Sequence, residues 1–546
     1  MDKNKRILTY VIALIVLAIG ITFAYFVAQT GDGAKSNVNI KADSVDDLKF
    51  SVNKDLSLSA NQFNFAQGSG NLSDSVTATA SLKANSTKKT ATYNYYVYFQ
   101  MESNEYKYTT LNKLPEIVLS ITGPNGEITN VDGLTYVSAS DADGNIIKGF
   151  DITELGSSII KIADSFEISS SSSTNYTNQK WVFKVTFINL NTDQTGNQGK
   201  TMSGKVLMQK DKLITSVADV ANSGDTLTTA VETLGIKGLS SITGLYHHDV
   251  SLTNGAEDNS YRFAGANPNN YVCFGSDEAT CPYENLYRII GVIDGKIKLI
   301  LADGGTIDML GTDGGYFDPY KTYWDSRLDD NNQRYTYSYS YYKGSADLSQ
   351  VGFYVWSEDR TSTWNSSDTN TTNLSKNYLS YLDGKSSKWK TMIDDTIWYI
   401  GGMTLDNGAE INAKTAYDYE VGTNKVANTT VTSKIGLMYV SDYYYAALPE
   451  YWLLPGVDNS SKNDYRKAYN DNWMSMGLFE YTISQLFTLS SPSQSSLVFR
   501  LTDDGAVYYD SKAGLGNALR PTFNLTTSVQ YDSGSGTASD PIRLKN

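Results

Sequence analysis

Cysteine and histidine are almost absent from this chain, with two of each in 546 residues. The cysteines, Cys273 and Cys281, form a C-x7-C pair that matches no usual zinc arrangement, and the histidines, His247 and His248, are adjacent. A metal centre built from them is not expected, and no cofactor is implied. Outside the cytoplasm the cysteine pair would close one small disulfide loop, and in a reducing compartment it would stay as two thiols. Positive charge is also in deficit, with 45 Lys and Arg against 59 Asp and Glu and a net charge of −14. Nucleic-acid phosphates need Lys and Arg, so a nucleic-acid partner is not expected. Adhesion to anionic lipid by charge alone is disfavoured for the same reason, and the balance suits a self-repelling, soluble surface.

Catalytic motifs are missing as well. The chain has no G-x-S-x-G elbow and no H-E-x-x-H, and no dinucleotide fingerprint follows a strand and opens a helix. Gly199-Lys200-Thr201 resembles the end of a phosphate loop, but Gln194 stands where the first glycine is required. No catalytic residue is therefore assigned. A C-terminal sorting motif is not found either: Leu448-Pro449-Glu450-Tyr451-Trp452 is internal and lacks the Thr-Gly of a sortase signal.

The chain does have one long apolar run. Ile7 to Ala28 carries no charge, and as a helix it would reach about 33 Å, enough to cross a hydrocarbon core of roughly 30 Å. Lys3, Lys5 and Arg6 precede it and Asp32 is the first charge after it, so the positive-inside rule leaves the tip in the cytoplasm and the bulk outside. Thr22 and Ala24 also satisfy the −3 and −1 positions of a signal-peptidase cut, which would release a chain starting at Tyr25. The length of the run favours retention as an anchor.

From Val38 to about Leu213 the pattern has period two. Val76, Ala78, Ala80 and Leu82 share one face, as do Tyr93, Tyr95, Val97 and Phe99, then Trp181, Phe183, Val185 and Phe187, then Met202, Gly204, Val206 and Met208. Such alternation predicts half-buried antiparallel strands, with turns at Pro124-Asn125-Gly126 and Asp143-Gly144. Several strands without a strong helix between them make a β-sandwich. Asp141-Ala-Asp143-Gly-Asn145 is not a calcium loop, because Ile146 occupies the position that needs glycine. A signal-like segment ending in TFAYF and followed by such strands resembles the camelysin/TasA type of secreted matrix proteins of Gram-positive bacteria. The resemblance covers the leader and roughly residues 38–210. It implies a jelly-roll-like fold, trimming of the leader and a role in extracellular matrix or fibres. The metallopeptidase activity attributed to camelysin is not carried over.

Between Ile214 and Gly235 the period becomes helical, with Leu227, Ala230, Val231 and Leu234 on one face, Asp225 as N-cap and Gly235 as stop. This stretch reads as a helical spacer. Beyond it the text turns aromatic. Asp294-Gly295 and Asp504-Gly505 each sit between strand-like runs and predict hairpins. Leu374, Tyr378 and Leu382 lie at helical spacing, and a short helix is expected around Trp389 and Ile393. Thr396 to Met403, Lys434 to Val440 and Leu519 to Leu525 read as strands, giving an α+β unit. The order YRFAGANPNNYVCFG, ENLYRIIGVIDGKIKLI, KIGLMYVSDYYYAA, FRLTDDGAVYYD, ALRPTFNL and SGSGTASDPIRL is similar to bacterial surface domains of C-type-lectin-like fold, in the branch that includes the formylglycine-generating enzymes. That resemblance implies a binding module with loops displayed on a small rigid sheet. The E-P-N and Q-P-D tripeptides of calcium-dependent sugar binding are absent, and the cysteines fall too early for the enzyme branch.

The aromatics Tyr443, Tyr444, Tyr445, Trp452 and Trp473 are the candidate ligand-binding residues, because sugar rings stack on aromatic faces. Each is also an ordinary core residue. The YTYSYSYYKG stretch from Tyr335 reads as a contact loop or a sheet-edge hairpin. Arg520 reads as half of a structural salt bridge.

The expected fold is mainly β with an α+β part. It comprises a cytoplasmic tip and transmembrane anchor or signal segment (1–30), an antiparallel jelly-roll-like sandwich (31–213), a helical linker (214–243) and a C-type-lectin-like α+β domain (244–546). The expected function is that of a non-catalytic, single-pass protein of the bacterial cell membrane with its bulk outside, binding a glycan or a cell-surface protein. Two alternatives stand beside it: a biofilm-matrix or fibre subunit that self-assembles through sandwich edge strands, and a secreted carbohydrate-active enzyme. The latter is kept open by Trp near acid in DTIWYI and PEYW and by the freedom of glycosidase carboxylates to lie far apart in sequence.

Overall fold

The computed structural model describes residues 46–60, 70–85, 90–110, 112–317, 342–357, 363–404, 411–425, 429–454, 464–487, 497–510 and 516–546. The run Ile7 to Ala28, with the cut between Ala24 and Tyr25, lies outside these residues, as does the Tyr/Ser stretch from Tyr335 up to residue 341. Among the described residues no helix is long and apolar enough to cross a membrane. The architecture is mainly β, built from several antiparallel sheets.

Eleven strands form the first unit: β1 (Asp47–Val52), β2 (Leu56–Ser59), β3 (Leu72–Lys83), β4 (Ala91–Asn104), β5 (Ile117–Gly123), β6 (Gly126–Glu127), β7 (Tyr136–Ser140), β8 (Ile146–Asp151), β9 (Ser158–Ser170), β10 (Thr177–Phe187) and β11 (Thr201–Gln209). One sheet runs β1-β3-β10-β5-β8-β7 with β6 on β5, and the other runs β2-β11-β4-β9. The register sets large against small: Trp181 opposes Ala78 and Phe183 opposes Val76. Val76, Ala78, Ala80 and Leu82 of β3 are buried, as are Trp181, Phe183, Val185 and Phe187 of β10. They share one core with Tyr95, Val97 and Phe99 of β4 and with Met202 and Val206 of β11. A buried indole N–H needs an acceptor, and Trp181 Nε1 donates to Tyr95 Oη at 2.9 Å. Asp141 caps its turn, accepting from the backbone of Asp143 at 3.0 Å and of Asn145 at 2.8 Å.

Several sequence expectations are corrected beyond this point. The helix spans Leu227–Lys237 and runs through Gly235, and its N-cap is Thr226, whose side chain accepts from Thr229 N. Asp225 instead braces the preceding turn, accepting from Asn222 N at 2.8 Å. Nor is the helix a spacer. Leu227, Ala230, Val231 and Leu234 are buried in the second unit's core, and Leu227 N donates to Val529 O near the C-terminal end of the chain. An apolar helical stripe is stable where another surface covers it, and the second unit does so.

Among the described residues that unit holds two six-stranded sheets and two two-stranded ones, Thr396–Tyr399 with Thr430–Ser433 and Gln530–Ser533 with Arg543–Lys545. The first runs β12 (Leu245–His248), β13 (Ser260–Phe263), β15 (Leu286–Ile293), β16 (Lys296–Leu301) and then Thr522–Asn524, with β14 (Tyr271–Cys273) on β15. The β15–β16 hairpin turns at Asp294 and Gly295, whose φ of 50° and 71° suit the primed turn that matches strand twist. The second joins Phe353–Tyr354, Asn517–Ala518, Glu480–Phe487, Val498–Leu501 and Val507–Asp510. Lys434 to Val440 is not a strand: pairing is carried by Thr430–Ser433, and a helix begins at Val440. Thr396 to Met403 is split into Thr396–Tyr399 and Met403–Thr404, and the last predicted strand shortens to Thr522–Asn524, after Pro521, which has no N–H to donate. Cys273 and Cys281 are joined as a disulfide.

The two units pack directly on each other. A Cβ on Gly156 of the sandwich would collide with the Ala266 methyl and stand 2.7 Å from Asn470 O, so only glycine permits this approach. Lys113 Nζ of the sandwich donates to Tyr342 O, and Lys107 of the sandwich stands 5.3 Å from the centre of the Tyr469 ring. At the other end of the seam, Asp132 of the sandwich accepts from Thr537 Oγ1 at 3.0 Å and also from Ser539 Oγ.

Candidate functional site

Tyr443, Tyr444 and Tyr445 close the short helix Val440–Tyr445, every residue of which is buried. The helix lies in the core shared by the two six-stranded sheets of the second unit, and a helix covered on every side needs apolar or paired residues all round. Tyr443 Oη donates to Gly505 O at 2.9 Å. The Tyr444 ring lies 4.3 Å from that of Tyr465, and Tyr445 meets Trp452 edge-on at 5.1 Å. Trp452 and Trp473 donate their indole N–H groups to Ala447 O and Phe263 O, both at 2.8 Å. All five are at most 3 % exposed. The expected aromatic binding patch is therefore corrected: these rings build the core, and none presents a face to a ligand.

Around that helix lies a set of buried charges, of which the sequence singled out only Arg520 as half of a salt bridge. Asp442 accepts from Lys298 Nζ at 2.5 Å and faces Arg262 Nη1 at 3.5 Å, while Arg262 Nη2 reaches Asp258 at 2.7 Å. Glu420 accepts from Val440 N and Ser441 N, each at 2.9 Å, and from Ser484 Oγ. Burial pushes its carboxyl up to about 7. That is a value for a general acid, but Glu420 is 2 % exposed and meets no surface that a substrate could reach. His248 is buried, accepts from Ala256 N at 3.0 Å through Nδ1, and is held well below the ordinary imidazole range by desolvation and by the nearby Arg262 charge. Arg520 pairs with Glu480 at 2.6 Å, both 1 % exposed in their side chains. Paired charges of this kind are how ions are tolerated inside a core. Among the described residues no group of three His, Cys, Asp or Glu could hold a metal ion.

The accessible polar concavity is elsewhere, on the seam between the units. A crevice of about 230 Å³ is lined from the sandwich by residues 100–102 and 157–159, and from the second unit by residues 240–242 and 264–269 with Gly244, Tyr246 and Leu448. Its polar side chains are amides and hydroxyls, plus the carboxylate of Glu102, which is ion-paired with Lys205. Ser157 Oγ donates to Glu102 O at 2.7 Å and Asn269 Nδ2 donates to Thr215 O at 3.1 Å, so the walls are braced before any ligand arrives. A larger hollow of about 470 Å³ lies on the sandwich alone, along Ser73, Ser120, Lys148, Lys184 and Thr186. No sequence signal pointed to the crevice. Its residues come from five separated segments, none with a motif, and only docking brings them together.

No family model, no curated protein and no solved structure matches this chain.

Proposed function

We propose that this chain is a non-catalytic binding protein of the bacterial cell surface. In this reading Ile7 to Ala28 anchors it in the membrane with the bulk outside. The sandwich, jelly-roll-like in kind, carries the second unit outward, and that unit, lectin-like in kind, presents the binding surface. The observation that carries the reading is the seam crevice: an open, neutral, polar hollow built jointly by both units, away from the buried charges. The Cys273–Cys281 disulfide supports an oxidising, extracellular setting. The experiment is to probe the full chain, in detergent or nanodiscs, on a glycan and cell-surface array with and without calcium. Selective retention is expected, and silence across the array would overturn the reading.

A second reading, self-assembly as a matrix or fibre subunit, is favoured by β9, a 13-residue strand at the end of its sheet. Edge strands offer unpaired backbone groups to another chain, and Lys161, Asp164 and Glu167 along β9 are the charges that usually blunt such an edge. Concentration-dependent fibre growth that stops when β9 receives a proline would replace the binding reading with this one.

A further inference from the structure

We infer that the seam crevice binds the terminal ring of a neutral saccharide, an inference that rests on the surface-binding reading and names its ligand class and place. Charge is the first observation. No Lys or Arg lines the crevice, and its one charged side chain is the carboxylate of Glu102. A phosphate, sulfate or uronate would therefore meet no cation in the lining, and the Lys205 ammonium beside it is already paired with Glu102, on a protein whose net charge of −14 already repels anions.

Hydrogen-bonding chemistry is the second. Ser157, Ser158, Ser241, Asn267 and Asn269 line the crevice, and each side chain both donates and accepts. Sugar hydroxyls have the same dual character, and a carboxylate such as Glu102 accepts from two neighbouring hydroxyls at once. The bonds these side chains already make use only part of that capacity. Asn269 spends Nδ2 on Thr215 O, Ser158 donates to Gly156 O at 3.0 Å, and Asn267 Oδ1 accepts from Arg288 Nη2 at 3.4 Å. Holding polar groups in place beforehand lowers the ordering cost of binding.

The third observation is shape. Ile242, Tyr246 and Leu448 also line the crevice and give it apolar surface for the C–H face of a ring, with Tyr246 steadied edge-on by Trp452 at 5.8 Å. A volume of about 230 Å³ falls below the roughly 300–1,000 Å³ of drug-sized sites. One ring fits and a longer chain would have to leave through the open side, which selects a terminal residue over an internal one.

The test uses the full chain in nanodiscs against methyl glycosides of glucose, galactose, mannose and N-acetylglucosamine. Glucose 6-phosphate serves as the charged control, and binding is read by saturation-transfer NMR and titration. At least one neutral glycoside is expected to bind with a Kd on the order of 1 mM, with no binding of the phosphate. Asn267→Ala and Ser241→Trp are both at exposed positions, and each is expected to weaken binding tenfold or more with an unchanged melting temperature. Glycoside binding that survives both substitutions would overturn the crevice as the site while leaving the surface-binding reading standing. Failure of every neutral glycoside to bind a chain that does bind a cell-surface protein on the array would overturn the ligand class alone.

Discussion

Glu420 shows how far one buried residue can govern the behaviour of its unit. Its carboxyl is raised to about 7 from an ordinary 4.5, chiefly by desolvation. Between those values the folded chain holds a proton that the unfolded chain has released. The contribution to stability is therefore fully present below about pH 4.5, is lost as the pH rises through 7, and stays lost above it. The size is on the order of 3 kcal/mol. Other carboxyls, buried Glu480 and half-buried Asp503 and Glu154 among them, are raised too by desolvation and tilt the curve in the same direction. Comparing wild type with Glu420→Gln isolates the one group: urea midpoints followed from pH 4.5 to 7.5 should fall less steeply in the variant. Parallel curves would show that Glu420 does not hold the proton. The tyrosines next to it teach a related lesson. A run of three aromatic residues reads equally well as surface or core, and the deciding fact is that the Val440–Tyr445 helix has no solvent face.

Among the elements, the disulfide loop is the one whose contribution can be read from chain connectivity. Cys273 and Cys281 are eight residues apart, and closing a loop of that length removes unfolded-state entropy equivalent to about 2.5 kcal/mol. The bridge ties the end of β14 to the approach to β15, and Arg543 near the C-terminus donates to Cys273 Sγ at 3.2 Å and to Ala279 O at 2.8 Å. Replacing both cysteines by serine should lower the second unit's denaturation free energy by about 2–3 kcal/mol while the sandwich transition stays in place. A loss well under 1 kcal/mol would mean that Arg543 and the surrounding strands hold the loop without the bond. The helix Leu227–Lys237 carries the complementary message. Its periodicity is plain in the text, but the partner that buries its apolar face, reached through Val529, lies some three hundred residues away in sequence.

For the whole molecule the seam is the decisive feature, because it makes two units into one body and creates the crevice. Gly156 is its closest point, against Ala266 and Asn470. Gly156→Leu should leave both cores folded and push the units apart. The expected result is unchanged far-UV circular dichroism with a larger radius of gyration by small-angle scattering, together with loss of any ligand that needs both walls. An unchanged radius would show that the seam tolerates the side chain and that docking rests on the flanking polar contacts. Prominent among those is Lys107 of the sandwich, whose ammonium group stands 5.3 Å from the centre of the Tyr469 ring of the second unit.

What the sequence determined by itself was local and periodic. The alternation in β3, β4, β10 and β11 named the sandwich core residue by residue, because a strand's period of two leaves only one face to bury. Asp-Gly pairs located two hairpins, because few residues accept positive φ there. The second unit was legible only in parts: its period-neutral aromatic runs did not say which face was inward, so Lys434 to Val440 reads as a strand and the tyrosines read both as core and as a binding face. Tertiary structure alone decided those points, along with the seam, the partner of Arg520 and the ion pairs around Asp442. Each depends on groups far apart in the chain that meet only after both units have formed, and no short-range pattern records such a meeting.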